Sequence, residues 1–148
     1  MPVSVRRIGH AEAVHNGSII VEAYAEAPWQ ESWSEQDATA RLAELTSTPG
    51  SIGFAAFDKE WLIGFAFALP HTAAIGPGLH IAEIAILPRY QRQGIGSALL
   101  SAIESEAKSL GHLHIWLVSR LSGGVAGYYR ASGYDQSTTL GIYTKRID

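Results

Sequence analysis

The sequence predicts an α/β fold with a mixed central sheet of about seven strands and helices on both faces. Two observations support this prediction. An apolar run at 80–87 is followed by a glycine-containing loop and an amphipathic helix that ends near Gly111. Two aromatic-rich apolar runs, 51–57 and 61–69, flank a short polar turn and predict a β-hairpin. Strands and helices that follow one another in this way are typical of a mixed sheet covered on both sides.

The chain before the hairpin predicts one strand and two helices. Residues 3–8 alternate weakly between apolar and polar and predict a strand. Residues 10–26 favour helix, with an interruption at 16–17, where an asparagine precedes a glycine. A second helix is predicted over 34–46, because its first serine is followed three residues later by an aspartate, as in an acidic capping box.

The chain after the hairpin begins with a loop at 70–78 that is either a lid over an acceptor site or a long turn. Residues 112–119 predict a strand, 122–132 a short helix, and 134–138 and 141–147 two closing strands. The predicted order is therefore β-α-α-β-β-β-α-β-α-β-β. The crossover between the fourth and fifth strands is expected to be parallel and right-handed.

Length and composition limit the classes of protein that fit. A chain of 148 residues, 47% hydrophobic and 17% charged, suits a single globular domain at 1–148. A net charge of −3 argues against a nucleic-acid partner, which would require a basic face. The lack of cysteine excludes disulfides, thiolate metal sites and a cysteine nucleophile. Because no apolar run predicts a membrane span or a signal peptide, we expect a cytoplasmic protein without a membrane partner.

The loop after the central strand has the features of a phosphate-binding site. It carries the pattern Gln-x-x-Gly-x-Gly, which starts at Gln91 and places glycines at Gly94 and Gly96. Glycines allow a tight turn into a helix, whose first N–H groups and dipole attract anions, and Arg92 adds a full positive charge. The pattern G-x-x-x-x-G-K-[ST] is absent, and Leu99 occupies the third glycine position of a dinucleotide-binding loop. An ATP- or NAD-binding protein is therefore disfavoured.

This pattern resembles the acyl-CoA-binding signature [QR]-x-x-G-x-[GA] of the GNAT superfamily, the acyl-CoA-dependent N-acyltransferases. A second segment, GYYRASGY at 127–134, is similar to the F-Y-x-x-x-G-[FY] signature of the same superfamily and follows the next strand. The order of elements extends the resemblance over about 3–147. The resemblance implies a GNAT-like sheet with splayed fourth and fifth strands, and acetyl-CoA bound with its pantetheine in the gap between them.

The resemblance also implies a cofactor site along the central strand and the loop that follows it. Backbone groups around Ala85 and Ile86 are expected to pair with the pantetheine amides. Ser122 stands where many members have an asparagine that contacts the cofactor, and its shorter side chain departs from the family pattern. The residues expected to hold the pyrophosphate, mainly through backbone N–H groups, are Gln91, Arg92, Gln93, Gly94, Ile95, Gly96 and Ser97.

Acetyl transfer to an amine requires removal of a proton from the amine and delivery of one to the departing thiolate. Tyr129 matches the tyrosine that protonates the thiolate in many members. For the base we prefer Glu83, the one charged residue in an apolar run, over His80 or a water chain. The odd separation of these two residues predicts opposite faces of the strand unless a bulge intervenes. The structural alternative for Glu83 is an ion pair with Arg89 or Arg92.

These features predict an enzyme that moves an acetyl group from acetyl-CoA to a primary amine of a small molecule, by direct attack in a ternary complex. One alternative acceptor is a protein N-terminus or lysine, and one alternative class is a non-catalytic acyl-CoA sensor. Trp29 and Trp33, with glutamates at 26, 31 and 35, either form an entrance for a cationic amine or pack against helices. Homodimerisation is common in the family, and the late strands offer an exposed edge for it.

No metal is expected in this protein. His80, His112 and His114 would lie close together if their strands are neighbours, but a tetrahedral ligand set is not apparent. Acetyl transfer also proceeds without a metal. We therefore interpret the three histidines as ordinary strand residues.

Overall fold

A computed structural model describes residues 3–147 of the chain. The chain divides into two compact units, the first ending at Val118 and the second starting at Ser119. The strands are β1 (Val3–Arg7), β2 (Ile52–Asp58), β3 (Trp61–Pro70), β4 (Gly78–Ile86) and β5 (His114–Leu117). The helices are α1 (His10–Val14), α2 (Gly17–Ala25), α3 (Glu35–Ser47), α4 (Ile95–Ser109) and, in the second unit, α5 (Gly124–Ala131), with a short 3-10 helix at Pro88–Tyr90.

The first unit is a mixed α/β structure built on one five-stranded sheet. The strand order is β1-β2-β3-β4-β5, with antiparallel neighbours up to β4 and a parallel β4–β5 pair. Helix α4 packs on β2, β3 and β4, while α2 packs on β4 and α3 packs on β3. Burial of apolar side chains between these helices and the sheet forms the core and fixes the central strands.

The helical predictions for the first third of the chain are confirmed, with one refinement. The interruption expected at 16–17 separates two helices, so three helices rather than two precede the hairpin. Ser34 caps α3 as predicted, because its hydroxyl accepts a hydrogen bond from the Asp37 backbone N–H at 3.0 Å. The residues of α3 that are fully buried are Ala38, Leu42 and Leu45.

The two closing strands predicted at 134–138 and 141–147 are wrong. The structure assigns no strand to either segment, so the described residues contain five strands and the predicted order fails at its end. An alternating pattern becomes a strand only where another strand completes its backbone hydrogen bonds. Here the Ser137 hydroxyl accepts hydrogen bonds from the N–H groups of Thr139 and Leu140, a local side-chain alternative to a ladder.

Strand β5 pairs with only the first part of β4. The parallel register runs from Gly78 opposite His114 to Ile81 opposite Leu117. Residues 82–86 therefore have no strand partner on that edge within the described chain. The pairing of β4 with β5 is therefore short, and the splay of these two strands stays a prediction.

The segment between β3 and β4 is a closed turn. The His71 N–H donates to the Gly78 carbonyl at 2.8 Å, and Ala73 and Gly76 exchange two backbone hydrogen bonds of 2.9 Å. These bonds continue the β3–β4 hairpin almost to its tip. Of the two predictions for residues 70–78, they favour a long turn over a lid that covers an acceptor site. Of the helices in the described part of the chain, none combines the length and the apolar character needed to span a bilayer.

Candidate active site

A β-bulge lies in the middle of β4, at the point where β5 stops. In the β3–β4 register Phe67 is opposite Glu83, whereas the next residue, Ala68, is opposite Ile81. Ala82 is therefore an extra residue on β4. Bulges of this kind bend a strand and redirect its side chains, and they occur often beside active sites.

The bulge brings Glu83 and His80 to the same face of the sheet. Glu83 is opposite Phe67, and His80 is opposite Leu69. Directly opposed residues share a face, and Phe67 and Leu69 are two residues apart on one strand. The opposite-face arrangement expected of a regular strand therefore does not occur, and both candidate bases lie on one surface.

Glu83 is held by two donors from different helices. Its side chain is only 11% exposed, and its Oε2 accepts a hydrogen bond from Arg41 Nε at 2.9 Å. Its Oε1 lies 2.7 Å from the Tyr24 hydroxyl, which is also 2.8 Å from the Ile84 carbonyl. The ion pair considered for this carboxylate therefore exists, but its partner is Arg41 of α3 rather than Arg89 or Arg92.

The open edge of β4 presents carbonyls from alternate residues. These accept hydrogen bonds from side chains: Ala82 from Arg41 Nη2 (3.2 Å), Ile84 from the Tyr24 hydroxyl (2.8 Å) and Ile86 from Gln91 Nε2 (2.9 Å). Ala85 lies opposite Phe65 in the β3–β4 ladder. Of the two residues expected to meet pantetheine, Ile86 thus has its carbonyl at the open edge.

His80 sits in an aromatic environment beside these groups. Its ring stacks on Trp116 with centroids 4.0 Å apart and planes 14° apart, and His71 meets the same tryptophan edge-on at 5.1 Å. Burial, the nearby His71 and the positive charge of Arg41 lower the pKa of His80 below its usual 6.5. His80 is therefore neutral at pH 7 and has a lone pair that can accept a proton.

The other strand histidines have separate surroundings. His114 Nε2 lies 3.2 Å from the Gly76 carbonyl, and its ring occupies the space above Gly78 that a Cβ would fill. The Nδ1 atom of His112 is buried without a hydrogen-bond partner. Within residues 3–147 no group of three histidine, aspartate or glutamate side chains is arranged to hold a metal ion.

The loop before α4 turns through two left-handed residues. Gly94 has φ +81° and Arg92 has φ +62°, a conformation that is uncommon for a residue with a side chain. The first backbone bond of α4 runs from the Ala98 N–H to the Gly94 carbonyl at 3.1 Å. The N–H groups of Ile95 and Gly96 precede this bond and have no acceptor within the helix, which is the arrangement of an anion site.

Side chains of the same loop anchor it to the sheet. The Tyr90 hydroxyl donates to Asp58 Oδ2 at 2.7 Å, and this bond raises the pKa of the Tyr90 phenol above its usual 10. Gln93 Nε2 donates to the Arg89 carbonyl at 3.2 Å, and Ser97 lies exposed in the first turn of α4. With the Gln91 bond to β4, these contacts hold the loop backbone in a fixed shape.

Two predicted site residues belong to the second unit. Tyr129 lies in α5 and contacts the rings of Tyr128 and Tyr134 edge-on, with centroids 5.1 and 6.0 Å away. Burial, with a contribution from Tyr128, raises the pKa of Tyr129 to about 12. Ser122 is exposed and lies just before Gly123, the N-cap of α5.

The tryptophans considered for the acceptor side have different contacts. Trp29 meets the ring of Tyr24 edge-on at 5.9 Å. Trp33 Nε1 donates to Glu31 Oε1 at 2.9 Å. Trp29 thus packs on the tyrosine that holds Glu83, so the segment at 26–33 is connected to the face of β4.

Arg41 and Tyr24 are the residues of this site that the sequence prediction missed. The spacing of Arg41 could have indicated its role. It is the one basic residue of α3, and it lies three residues after the buried Ala38 and four before the buried Leu45. This spacing places a charge on the buried stripe of the helix. Similarly, Tyr24 lies four residues after the buried Ile20 of α2.

Comparison with known proteins identifies the family of this chain. Residues 19–134 match the model of the acetyltransferase (GNAT) family. The chain therefore belongs to the GNAT family, whose members are acetyl-CoA-dependent N-acetyltransferases.

Individual relatives support the same fold. A segment of 67 residues is 39% identical to the [ribosomal protein bS18]-alanine N-acetyltransferase of Escherichia coli K12, and it covers 45% of this chain and 45% of that enzyme. An integron cassette protein from the mobile metagenome of V. cholerae has a TM-score of 0.81 at 18% identity, covering 100% of this chain and 94% of that one. AAC(6')-Iy, solved with a bisubstrate analog of CoA and acetylneamine, has a TM-score of 0.75 at 16% identity, covering 99% and 100%.

Proposed function

We propose that this protein transfers the acetyl group of acetyl-CoA to a primary amine of a small molecule, by direct attack in a ternary complex. The observation that carries the proposal is the face of β4. There the bulge places Glu83 and the neutral His80 on one surface, beside a strand edge left open by β5. A nucleophilic amine needs a proton acceptor next to the thioester, and this surface supplies two candidates.

In the proposed site, acetyl-CoA lies along the open edge of β4 and its pyrophosphate lies on the loop before α4. Backbone groups near Ala85 and Ile86 pair with the pantetheine amides, and the backbone N–H groups of residues 91–97 bind the pyrophosphate. Ser122 is a further cofactor contact in this proposal. The left-handed loop and its side-chain anchors support these assignments, because a fixed backbone costs little entropy on binding.

The chemistry requires one bond to form and one to break. The amine nitrogen attacks the thioester carbon, the C–N bond forms, and the C–S bond breaks as CoA leaves. Glu83 is the preferred acceptor of the amine proton, directly or through a water molecule, and His80 is the alternative. Tyr129 donates its phenolic proton to the departing thiolate, and a phenol with a pKa of about 12 carries that proton at neutral pH.

The test is release of the CoA thiol from acetyl-CoA in the presence of a panel of amines: an aminoglycoside, a polyamine, free amino acids and a peptide that begins with alanine. Release with the first two groups supports the small-molecule acceptor. Acetyl-CoA binding without release for any amine would overturn the proposal and favour the sensor.

Two variants assign the proton acceptor. Glu83→Gln keeps the size of the side chain but removes its basicity, and it should lower kcat more than His80→Gln does. The reverse order would assign the proton to His80. A loss of similar size in both variants would indicate that both residues contribute to removal of the amine proton.

A peptide or protein N-terminus is the second candidate acceptor. The segment similar to an alanine N-acetyltransferase favours it, although that similarity covers less than half of either chain. The alanine-initiated peptide in the panel tests it directly. A preference for this peptide over the aminoglycoside and the polyamine would replace the small-molecule acceptor. A cytoplasmic location and a homodimer stay predictions.

A further inference from the structure

We propose that Arg41 is a positioning residue for the acetyl transfer, because its guanidinium holds the bulged segment of β4 that places Glu83 and His80 on one face of the sheet. This inference rests on the proposed function. Arg41 itself does not touch the reacting atoms in this proposal. It acts through Glu83 and His80.

The geometry of the guanidinium supports this role. Its three nitrogen atoms reach three different partners: Nε contacts Glu83 at 2.9 Å, Nη2 contacts the Ala82 carbonyl at 3.2 Å, and Nη1 contacts Glu44 at 3.7 Å. Two of these partners are the successive residues that form the bulge. A planar guanidinium can bond both at once, whereas a lysine ammonium is a single point charge.

The bulge needs such a partner because its extra residue leaves the regular ladder. An unpaired backbone carbonyl at a partly buried position costs free energy, and the bond from Arg41 satisfies the Ala82 carbonyl. Tyr24 completes the arrangement from α2 by contacting Glu83 and the Ile84 carbonyl. Without the extra residue, one of the two candidate bases would turn to the other face of the sheet.

The charge of Arg41 acts on the same surface. The ionisable groups near His80 are Arg41 from α3, His71 from the turn before β4 and Glu83 on β4 itself. Two further groups lie one contact away: Tyr24 of α2 bonds Glu83, and His114 of β5 contacts the ring of His71. Arg41 and His71 both lower the pKa of His80. Removal of the positive charge of Arg41 therefore favours the protonated form of His80, which cannot accept a proton from the amine.

The experiment compares Arg41→Gln, which removes the charge, with Arg41→Lys, which keeps it. Arg6→Gln is the control, because Arg6 forms an exposed ion pair with Glu12 at the far edge of the sheet. The readouts are kcat and KM for acetyl-CoA with the best amine of the panel, the pH profile of kcat/KM, and the NMR titration of His80. Thermal unfolding checks that each variant is folded.

For Arg41→Gln we expect kcat to fall about tenfold to a hundredfold, the cost of a misplaced catalytic group, with KM for acetyl-CoA nearly unchanged. The His80 titration should move to higher pH, and so should any part of the acidic limb of the pH profile that reports His80. Arg41→Lys should keep the pH profile of the wild type but lose part of kcat. If Arg41→Gln fails to fold, the test is whether Arg41→Lys lowers kcat while its pH profile stays unchanged.

Wild-type kcat and an unmoved His80 titration in a folded Arg41→Gln would overturn the inference. So would equal effects of Arg41→Gln and Arg6→Gln, which would indicate a general effect on the fold. If the wild-type protein acetylates no amine, the proposed function fails. The His80 titration would still show whether Arg41 controls the protonation of this surface.

Discussion

Tyr129 is the residue that we propose as the proton donor to the departing thiolate. An exposed phenol has a pKa near 10, whereas burial raises the pKa of Tyr129 to about 12. The residue is therefore protonated over the whole physiological range. In the proposed mechanism the thiolate formed by loss of the acetyl group takes this proton. Because the raised pKa makes the phenol a weaker acid than the thiol, solvent returns a proton to the phenolate and so completes the transfer.

Tyr129→Phe tests this role, because it removes the proton and leaves the ring. We expect kcat to fall about tenfold or more, in the range typical of general acid catalysis, with little change in CoA affinity. Tyr128→Phe is the matched control, since the two rings are adjacent in α5. Turnover in Tyr129→Phe that equals that of the wild type would remove the phenol from the mechanism.

The lowered pKa of His80 predicts how the folding stability of the protein depends on pH. Its pKa in the folded protein is below the usual 6.5, so the unfolded chain binds more protons as the pH falls through that value. The contribution of His80 to stability is therefore present above about pH 6.5 and is lost as the pH falls toward the lowered pKa. His80→Asn should lose less stability than the wild type between about pH 7 and about pH 5 in urea unfolding.

The matched control for this prediction is His15→Asn, at an exposed position just after α1. An identical pH dependence in His80→Asn and the wild type would contradict the lowered pKa. In that case His80 would not be a neutral imidazole at the proposed acceptor face.

Sequence reasoning at this scale identified Glu83 but not the residues that hold it. A charged residue in an apolar run is visible in the sequence, whereas its partner can lie on any nearby element. Arg41 and Tyr24 are 42 and 59 residues away from Glu83 in the chain and meet it only because α2 and α3 pack next to β4. Tertiary contacts of this kind are not encoded by local patterns.

At the scale of elements, the strand, loop and helix at the centre of the chain follow closely from the sequence. Gly94 and the stripe of α4 that includes Leu99 and Ile103 predicted both the turn and the helix start. Gly94 is needed for its backbone conformation rather than for space, since a Cβ there would meet nothing within 4 Å while φ is +81°.

Gly94→Ala should therefore strain the loop by about 1 kcal/mol and weaken acetyl-CoA binding. Calorimetric titration with CoA and thermal unfolding measure the two effects. Gly9→Ala is the control, because Gly9 has φ −110° and equally open surroundings. Unchanged CoA affinity in Gly94→Ala would contradict the assignment of this loop to the pyrophosphate.

Two features of the elements were not predictable in the same way. The bulge at Ala82 adds one residue to β4 without a glycine or proline to mark it, so only the register with β3 reveals it. The segments at 134–138 and 141–147 show the converse, since their pattern suits a strand but no ladder forms there. Strand prediction depends on a partner strand, which a local pattern does not specify.

At the scale of the whole molecule, the sheet of the first unit arranges the proposed acceptor face and the cofactor loop at one end of β4. The parallel β4–β5 pair ends at Ile81 and Leu117, and the bulge, the open edge and the loop before α4 follow directly. The family match spans 19–134 and so includes both the loop and Tyr129. Direct transfer on this scaffold requires acetyl-CoA and the amine to be bound together.

The most direct test of this claim is the initial rate of CoA thiol release over a matrix of acetyl-CoA and amine concentrations. The amine is the best acceptor from the panel, and mass spectrometry confirms that it becomes acetylated. Direct attack in a ternary complex predicts reciprocal plots that intersect. Parallel plots, the pattern of a covalent acetyl-enzyme, would contradict it.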